Sequence, residues 1–190
     1  MVLFAALLWL PLIAQGQGAV NRAALPQLLS FEAGQLAGEP RGWGGGPSGT
    51  IFADDKVVHG GKWAVRIDRN ARSPQNFSAA TLSIPIDFPG TRIELRGFLK
   101  LENVSEYAGL WMREDGDNGV AAFDNMQSRE LKGTHPWMEY SITLPLRAEA
   151  RQLFFGVLMG GTGKTWADDL RLLVDGKAVW EVPGKTAVRL

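Results

Sequence analysis

The chain of 190 residues contains no cysteine, which excludes disulfides, zinc–cysteine sites, iron–sulfur clusters and thiol nucleophiles together. It has no excess of either charge: 20 basic residues balance 20 acidic ones. Without a net positive field, non-specific nucleic-acid binding has no electrostatic footing. Nor is there a Lys/Arg cluster to mark an anionic membrane surface. Histidine is scarce: His59 and His135 stand alone, in turns without a spacing motif, which argues against zinc and against a Ser–His arrangement. Long amphipathic helical patterns are also missing, and Pro145–Gln152 has room for one helical turn at most. What is plentiful is glycine (23), with 10 prolines and 7 tryptophans. That balance suits the many tight turns of an all-β fold. At 45% hydrophobic and 21% charged residues, the composition is that of one globular domain with a real core.

Leu3 to Ala14 is an unbroken apolar run with Pro11 inside it. It is too short to span a bilayer as a helix and suits the apolar part of a signal peptide. Small residues at Ala14 and Gly16 place the expected cleavage before Gln17, although Met1-Val2 lacks the usual basic residues. The expectation is therefore a signal peptide over 1–16, a lead-in over 17–27, one β-domain over 28–182 and a tail or linker over 183–190. Export to the periplasm or extracellular space follows, with no membrane span in the mature chain.

The rest reads as short strands between turn signals. Leu28–Glu32 is expected to open the set, followed by a glycine-rich loop over 34–50 with Trp43 inside it. Thr50–Asp54 pairs briefly, and Trp63–Arg69 and Thr81–Phe88 alternate apolar and polar residues, the signature of half-buried strands. Arg92–Glu102 alternates with a slip that predicts a bulge near Gly97. Tyr107–Arg113 and Gly119–Met126 flank Asp115-Gly116-Asp117-Asn118, a hairpin signal. Trp137–Leu144, Gln152–Met159, Thr165–Val174 and Ala178–Val182 complete an antiparallel two-sheet sandwich.

Gly160-Gly161-Thr162-Gly163-Lys164-Thr165 superficially suggests a phosphate loop, but Leu158 stands where the motif's first glycine belongs, and a strand pattern follows instead of a helix. A hairpin turn is the better reading. Gly46-Pro47-Ser48-Gly49 is not a nucleophile elbow. A carboxylate-based hydrolase needs two acids across a cleft; Asp54, Asp55, Glu114, Asp115, Asp124, Asp168 and Asp169 are read by default as solvated turn residues. Asp168 and Asp169 are consecutive in a predicted strand, so one points towards the core or a neighbouring layer. Its partner is either an arginine or a calcium ion shared with Glu32. Trp43, flanked by glycines, is the expected exposed stacking surface for a sugar. Asp124, Asn125, Gln127 and Arg129 form the expected hydrogen-bonding cluster. Trp111, Trp137 and Trp166 read as core or sheet-face residues.

Four segments in order, Phe31-Glu32-Ala33-Gly34, Gly61-Lys62-Trp63-Ala64-Val65, Trp137-Met138-Glu139-Tyr140 and Gly163 to Leu172, resemble the galactose-binding-like jelly rolls that include many carbohydrate-binding modules. Tyr107–Arg113 and Ala122–Gln127 resemble more closely the domain that precedes the catalytic part in bacterial S41-type peptidases and erythromycin-esterase-like proteins. The resemblance implies an all-β, galactose-binding-like jelly-roll sandwich without catalysis of its own, and a structural calcium at Glu32 with Asp168 or Asp169. It also implies a glycan or cell-envelope ligand, or alternatively a peptidase partner domain.

Overall fold

The computed structural model describes residues 20–185; the expected signal peptide and its cleavage site lie outside the described residues. A single helical turn, α1 (Leu25–Leu29), precedes thirteen strands. These are β1 (Gln35–Leu36), β2 (Glu39–Pro40), β3 (Gly44–Gly46), β4 (Ile51–Asp54), β5 (Ala64–Arg69), β6 (Phe77–Pro85) and β7 (Arg92–Val104). Then follow β8 (Tyr107–Gly116), β9 (Gly119–Asp124), β10 (Gly133–Pro145), β11 (Ala150–Gly160), β12 (Gly163–Val174) and β13 (Lys177–Ala178). One antiparallel sheet runs β10-β7-β12-β5-β4, with β13 added on β12, and a five-stranded antiparallel sheet runs β3-β6-β11-β8-β9. The two pack face to face as a jelly-roll sandwich, with β1-β2 a separate small ribbon.

The core lies between the sheets because their strands alternate. Ile93, Leu95, Leu99 and Leu101 of β7 face Leu153, Phe155, Val157 and Met159 of β11, all buried in one cluster. The slip expected near Gly97 is absent from β7, which alternates without interruption from Arg92 to Glu102. The extra residue is on its partner instead: β12 pairs Asp168 with Phe98 and next Arg171 with Arg96, with Asp169 at φ 49°. Gly97 lacks a side chain because a Cβ there would lie 2.2 Å from Leu170.

Leu28–Glu32 is not a strand. Pro26, in the first turn of α1, presets a helical backbone, and Leu25, Leu28 and Leu29 then share one buried face. Phe31 turns the chain at φ 61° and drops into the core. The Gly160–Gly163 turn joins strands of opposite sheets rather than closing a hairpin. The Asp115–Asn118 signal does close one, pairing Gly116 with Gly119.

Two buried ionisable residues face inward. Arg69 (4% exposed) gives its guanidinium to the carbonyls of Gly161 (2.9 Å) and Gln75 (2.7 Å) and to the Ser78 hydroxyl, sealing the turn from β5 to β6. Glu114 is fully buried; one carboxyl oxygen accepts the Arg147 amide at 3.0 Å, while Oε1 has no partner. Burial pushes its pKa up, and the charge of Glu149 adds to this against the opposing amide and charge of Arg147. The folded chain thus holds the proton more tightly than the unfolded chain. The corresponding stabilisation is complete below the unfolded value of 4.5 and is lost as pH rises through the higher folded value. Glu114→Gln, neutral at every pH, should therefore raise stability by about 1 kcal/mol at neutral pH and flatten its decline between acid and neutral solution. Urea midpoints at pH 5 and 8 check this; a variant weaker than wild type at pH 8 would contradict it.

Candidate functional site

Trp43 is not a surface ring. It is 6% exposed, stacks on Phe31 at 4.9 Å and 26°, and donates its indole N–H to the Leu28 carbonyl at 2.9 Å. The glycines after it are not a loose loop; they form β3, hydrogen-bonded along β6. Gly45 is required there, since a Cβ would lie 1.9 Å from the Ala79 carbonyl oxygen. The strand pins Trp43 at the sheet edge and its ring fills the end of the core.

The acids that the resemblance implicated in calcium binding converge on one turn, His59 to Trp63. Glu32 accepts the amides of Lys62 (2.7 Å) and Trp63 (3.0 Å). Asp168, fully buried, accepts those of His59 (2.8 Å), Gly60 (3.1 Å) and Asp169 (2.7 Å). Burial raises the Asp168 pKa, these three amides oppose it, and the charge of Asp169 adds to the rise. Asp169 itself pairs with His59 Nδ1 at 2.7 Å. Asp168, buried beneath this turn, thus meets backbone N–H groups rather than an arginine. Amide donors aimed at the same oxygens do not fit a cation, and among the described residues no group of three His, Cys, Asp or Glu side chains could hold a metal.

The polar segment after β9 turns across the edge of β8. Asp124 caps the Met126 amide (2.8 Å), and Asn125, 7% exposed, caps that of Gln127 (3.1 Å). The Asn125 Nδ2 donates to the Tyr107 phenol at 3.2 Å. Gln127 and Arg129 are exposed in the following 3-10 turn. Asn125 is thereby brought to an aromatic face that the sequence reading did not single out.

That face is the outer side of the five-stranded sheet. Register aligns its outward residues in rows across the strands. The first is Phe77–Gly160–Tyr107. The two middle rows are Gly46–Ala79–Leu158–Gly109 and Gly44–Thr81–Gly156–Trp111, and the fourth is Ser83–Phe154–Arg113–Phe123. Rows are spaced about 7 Å apart along a strand, and five of the eight middle-row positions are glycine or alanine, so the register implies a trough between the rings of the outer two. Trp111, Ala79 and Leu158 form its floor, a small apolar cluster separate from the main core, with Phe77, Tyr107 and Phe154 packed against it. Phe123, 40% exposed, is the ring most open to solvent.

The trough also has polar groups. Arg113 lies over the Phe154 ring at 5.0 Å and forms a two-pronged ion pair with Asp115, both contacts at 2.8 Å. Tyr107 is pushed up to about 12 by burial and by the charge of Glu106, so its phenol keeps its proton and can donate at any physiological pH. The Trp111 indole N–H is buried and has no hydrogen-bond partner, an uncommon state for a buried tryptophan. The sequence signal for this face was two-sided: Tyr107, Trp111 and Arg113 alternate with Ala108, Leu110 and Met112, so β8 carries large side chains on both sides.

No family model matches the chain. It is 39% identical over 80 residues to an uncharacterized HTH-type transcriptional regulator, YbfP, of Bacillus subtilis (strain 168); the match takes in 42% of this chain and spans 27% of that protein. Several solved structures share the fold. The xylan-binding CBM22-1 domain of Paenibacillus barcinonensis Xyn10C aligns with a TM-score of 0.52 at 14% identity, over 79% of this chain and 93% of that one. Another xylan-binding domain from CBM 22 aligns at 0.56 and 12% identity, over 79% and 94%. TmCBM61, in complex with β-1,4-galactotriose, aligns at 0.51 and 14% identity, over 82% and 99%. The chain therefore has the antiparallel jelly-roll fold seen in these carbohydrate-binding modules.

Proposed function

We propose that the chain is a non-catalytic, exported glycan-binding module whose ligand lies in the trough on the outer face of the five-stranded sheet. One observation carries the reading: an unpartnered, buried indole N–H at Trp111, beneath a field of aromatic rings. The face of a pyranose ring is apolar and its rim is lined with hydroxyls, so it needs aromatic contact and a few fixed polar groups together. Phe123, Phe154 and Tyr107 supply the first; Trp111 Nε1, the Arg113–Asp115 pair, Asn125 and the Tyr107 hydroxyl supply the second. Arg113 is neutralised by Asp115, which suits a neutral sugar. Four of the seven acids weighed for hydrolysis, Asp54, Asp124, Asp168 and Glu114, each accept at least one backbone amide.

Affinity electrophoresis of the purified protein through a panel of soluble polysaccharides and solubilised peptidoglycan tests the proposal. At least one glycan should retard it, and Phe123→Ala should weaken that retention about tenfold, equivalent to roughly 1.4 kcal/mol. Trp111→Phe, which keeps a ring and deletes the N–H, should weaken it comparably with the fold intact. Migration unaffected by every glycan would overturn the reading. The partial match to a regulator of which this chain spans 27% favours a second reading, in which the sandwich is one part of a longer protein and positions a neighbouring domain. That reading includes the accessory role beside an S41-type peptidase.

A further inference from the structure

The outer face of the six-stranded sheet has different chemistry. Register lays Phe52, Arg66, Trp166 and Lys100 in one row across β4, β5, β12 and β7, and Asp68, Lys164 and Glu102 in the next. Strands stand about 4.8 Å apart, so Arg66 and Lys100 bracket the Trp166 indole from either side. The indole is buried and donates to Asp54 at 3.0 Å, and Arg66 Nη1 reaches the same carboxylate oxygen at 3.2 Å. The other oxygen accepts the amides of Lys56 (2.8 Å) and Val57 (3.1 Å). Asp54 is thus saturated. Burial alone would raise its pKa, but these bonds and the Arg66 charge outweigh that and lower it, so the acid stays ionised and committed to the protein.

Beside this anchored group is an open pocket of about 410 Å³, lined by Asp54, Arg66, Lys100, Glu102, Lys164 and Trp166 together with the 53–57 segment. Its donors are not all used. The Arg66 Nε–H is buried without a hydrogen-bond partner, the Asp68 carboxylate standing 3.9 Å away. Lys100 forms no ion pair among the described residues, whereas Lys164 is held by Glu102 at 3.0 Å and Lys56 by Asp55 at 3.3 Å. The guanidinium is fixed, lying 4.9 Å over the Phe52 ring, so little side-chain freedom remains to be lost when it meets a ligand.

We propose that this pocket binds the oxyanionic group of a small ligand, a carboxylate or a phosphate, between Arg66 and Lys100. Arg66, Lys56 and Lys164 each stand beside a carboxylate, so Lys100 is the lining's one cation without an acid partner among the described residues, which matches a singly charged group. The pocket belongs to the sheet opposite the aromatic trough, so it stands whether or not the trough holds a glycan.

The test follows the Trp166 indole N–H resonance of 15N-labelled protein, assigned by its loss in Trp166→Phe, during titration at constant ionic strength. The probes are sodium glucuronate, inorganic phosphate and glucose. A saturable shift is expected with at least one anion and none with glucose, and Lys100→Gln should weaken the anion at least tenfold while leaving the rest of the spectrum in place. A response to glucuronate alone identifies a carboxylate ligand, and one to phosphate alone a phosphate ligand. No saturable response to either anion, an equal response to glucose, or an unchanged affinity in Lys100→Gln would overturn the proposal.

Discussion

Trp43→Ala is expected to destabilise the protein by about 3–5 kcal/mol, enough to leave many domains of this size largely unfolded at physiological temperature. The ring is stacked on Phe31 and sealed from solvent, so truncation leaves a large cavity at the sheet edge. It also strips the Leu28 carbonyl of its 2.9 Å partner, and an unmet buried acceptor adds its own cost. Trp43→Phe separates the two effects. It keeps a ring against Phe31 while deleting the indole N–H and part of the bicycle, so it should cost less, about 2 kcal/mol, and leave glycan retention unchanged. Guanidinium unfolding together with affinity electrophoresis reads both quantities. Were Trp43→Phe to fold normally yet lose all retention, Trp43 would belong to the ligand site and the trough assignment would fail.

Asp168→Ala is the second large expected effect. Three backbone amides, of His59, Gly60 and Asp169, converge on this fully buried carboxylate. Removing it strands them where water has little access, for an expected loss of about 3 kcal/mol. Asp168→Asn retains one acceptor oxygen but turns an NH2 group toward an N–H, and should cost about half as much. Because amides already occupy these oxygens, the thermal midpoint of the wild type should be the same in calcium and in EDTA. A rise of several degrees with calcium would show that the turn opens to admit an ion and would overturn the assignment of these carboxylate oxygens to backbone amides.

Much of the fold was legible because strand alternation needs only neighbouring residues. β7 follows its apolar period closely from Arg92 to Glu102, and Asp115–Asn118 turns where its composition demands. Except at Leu28–Glu32, where the deciding residue is local, the errors share a physical origin in contacts distant in sequence. Leu28–Glu32 reads as apolar in either helix or strand; Pro26 decides for the helix, and three leucines then need only one turn to reach the core. Trp43 looked exposed because glycines surround it, yet those glycines are there for close approach to β6. The bulge was assigned to the wrong strand because Gly97 and Leu170 are a pair that only the β7–β12 register reveals. The proposed ligand face was hidden for the same reason. Trp111, Phe154 and Phe123 lie on three strands, and no spacing within any one of them shows that they share a row or a trough.

The turn at His59–Trp63 has one further consequence, for how the chain reaches its native state. It is held by Glu32 on one side and by Asp168 and Asp169 on the other, and the His59–Asp168 contact alone spans 109 residues. Such closures carry a high loop-entropy cost, and sandwiches dominated by them fold in milliseconds to seconds rather than microseconds. During synthesis, β4, β5 and β7 emerge well before β12, the central strand of their sheet. Until β12 arrives, β5 and β7 present unpaired edges to the solvent, the surfaces most prone to pair with another chain.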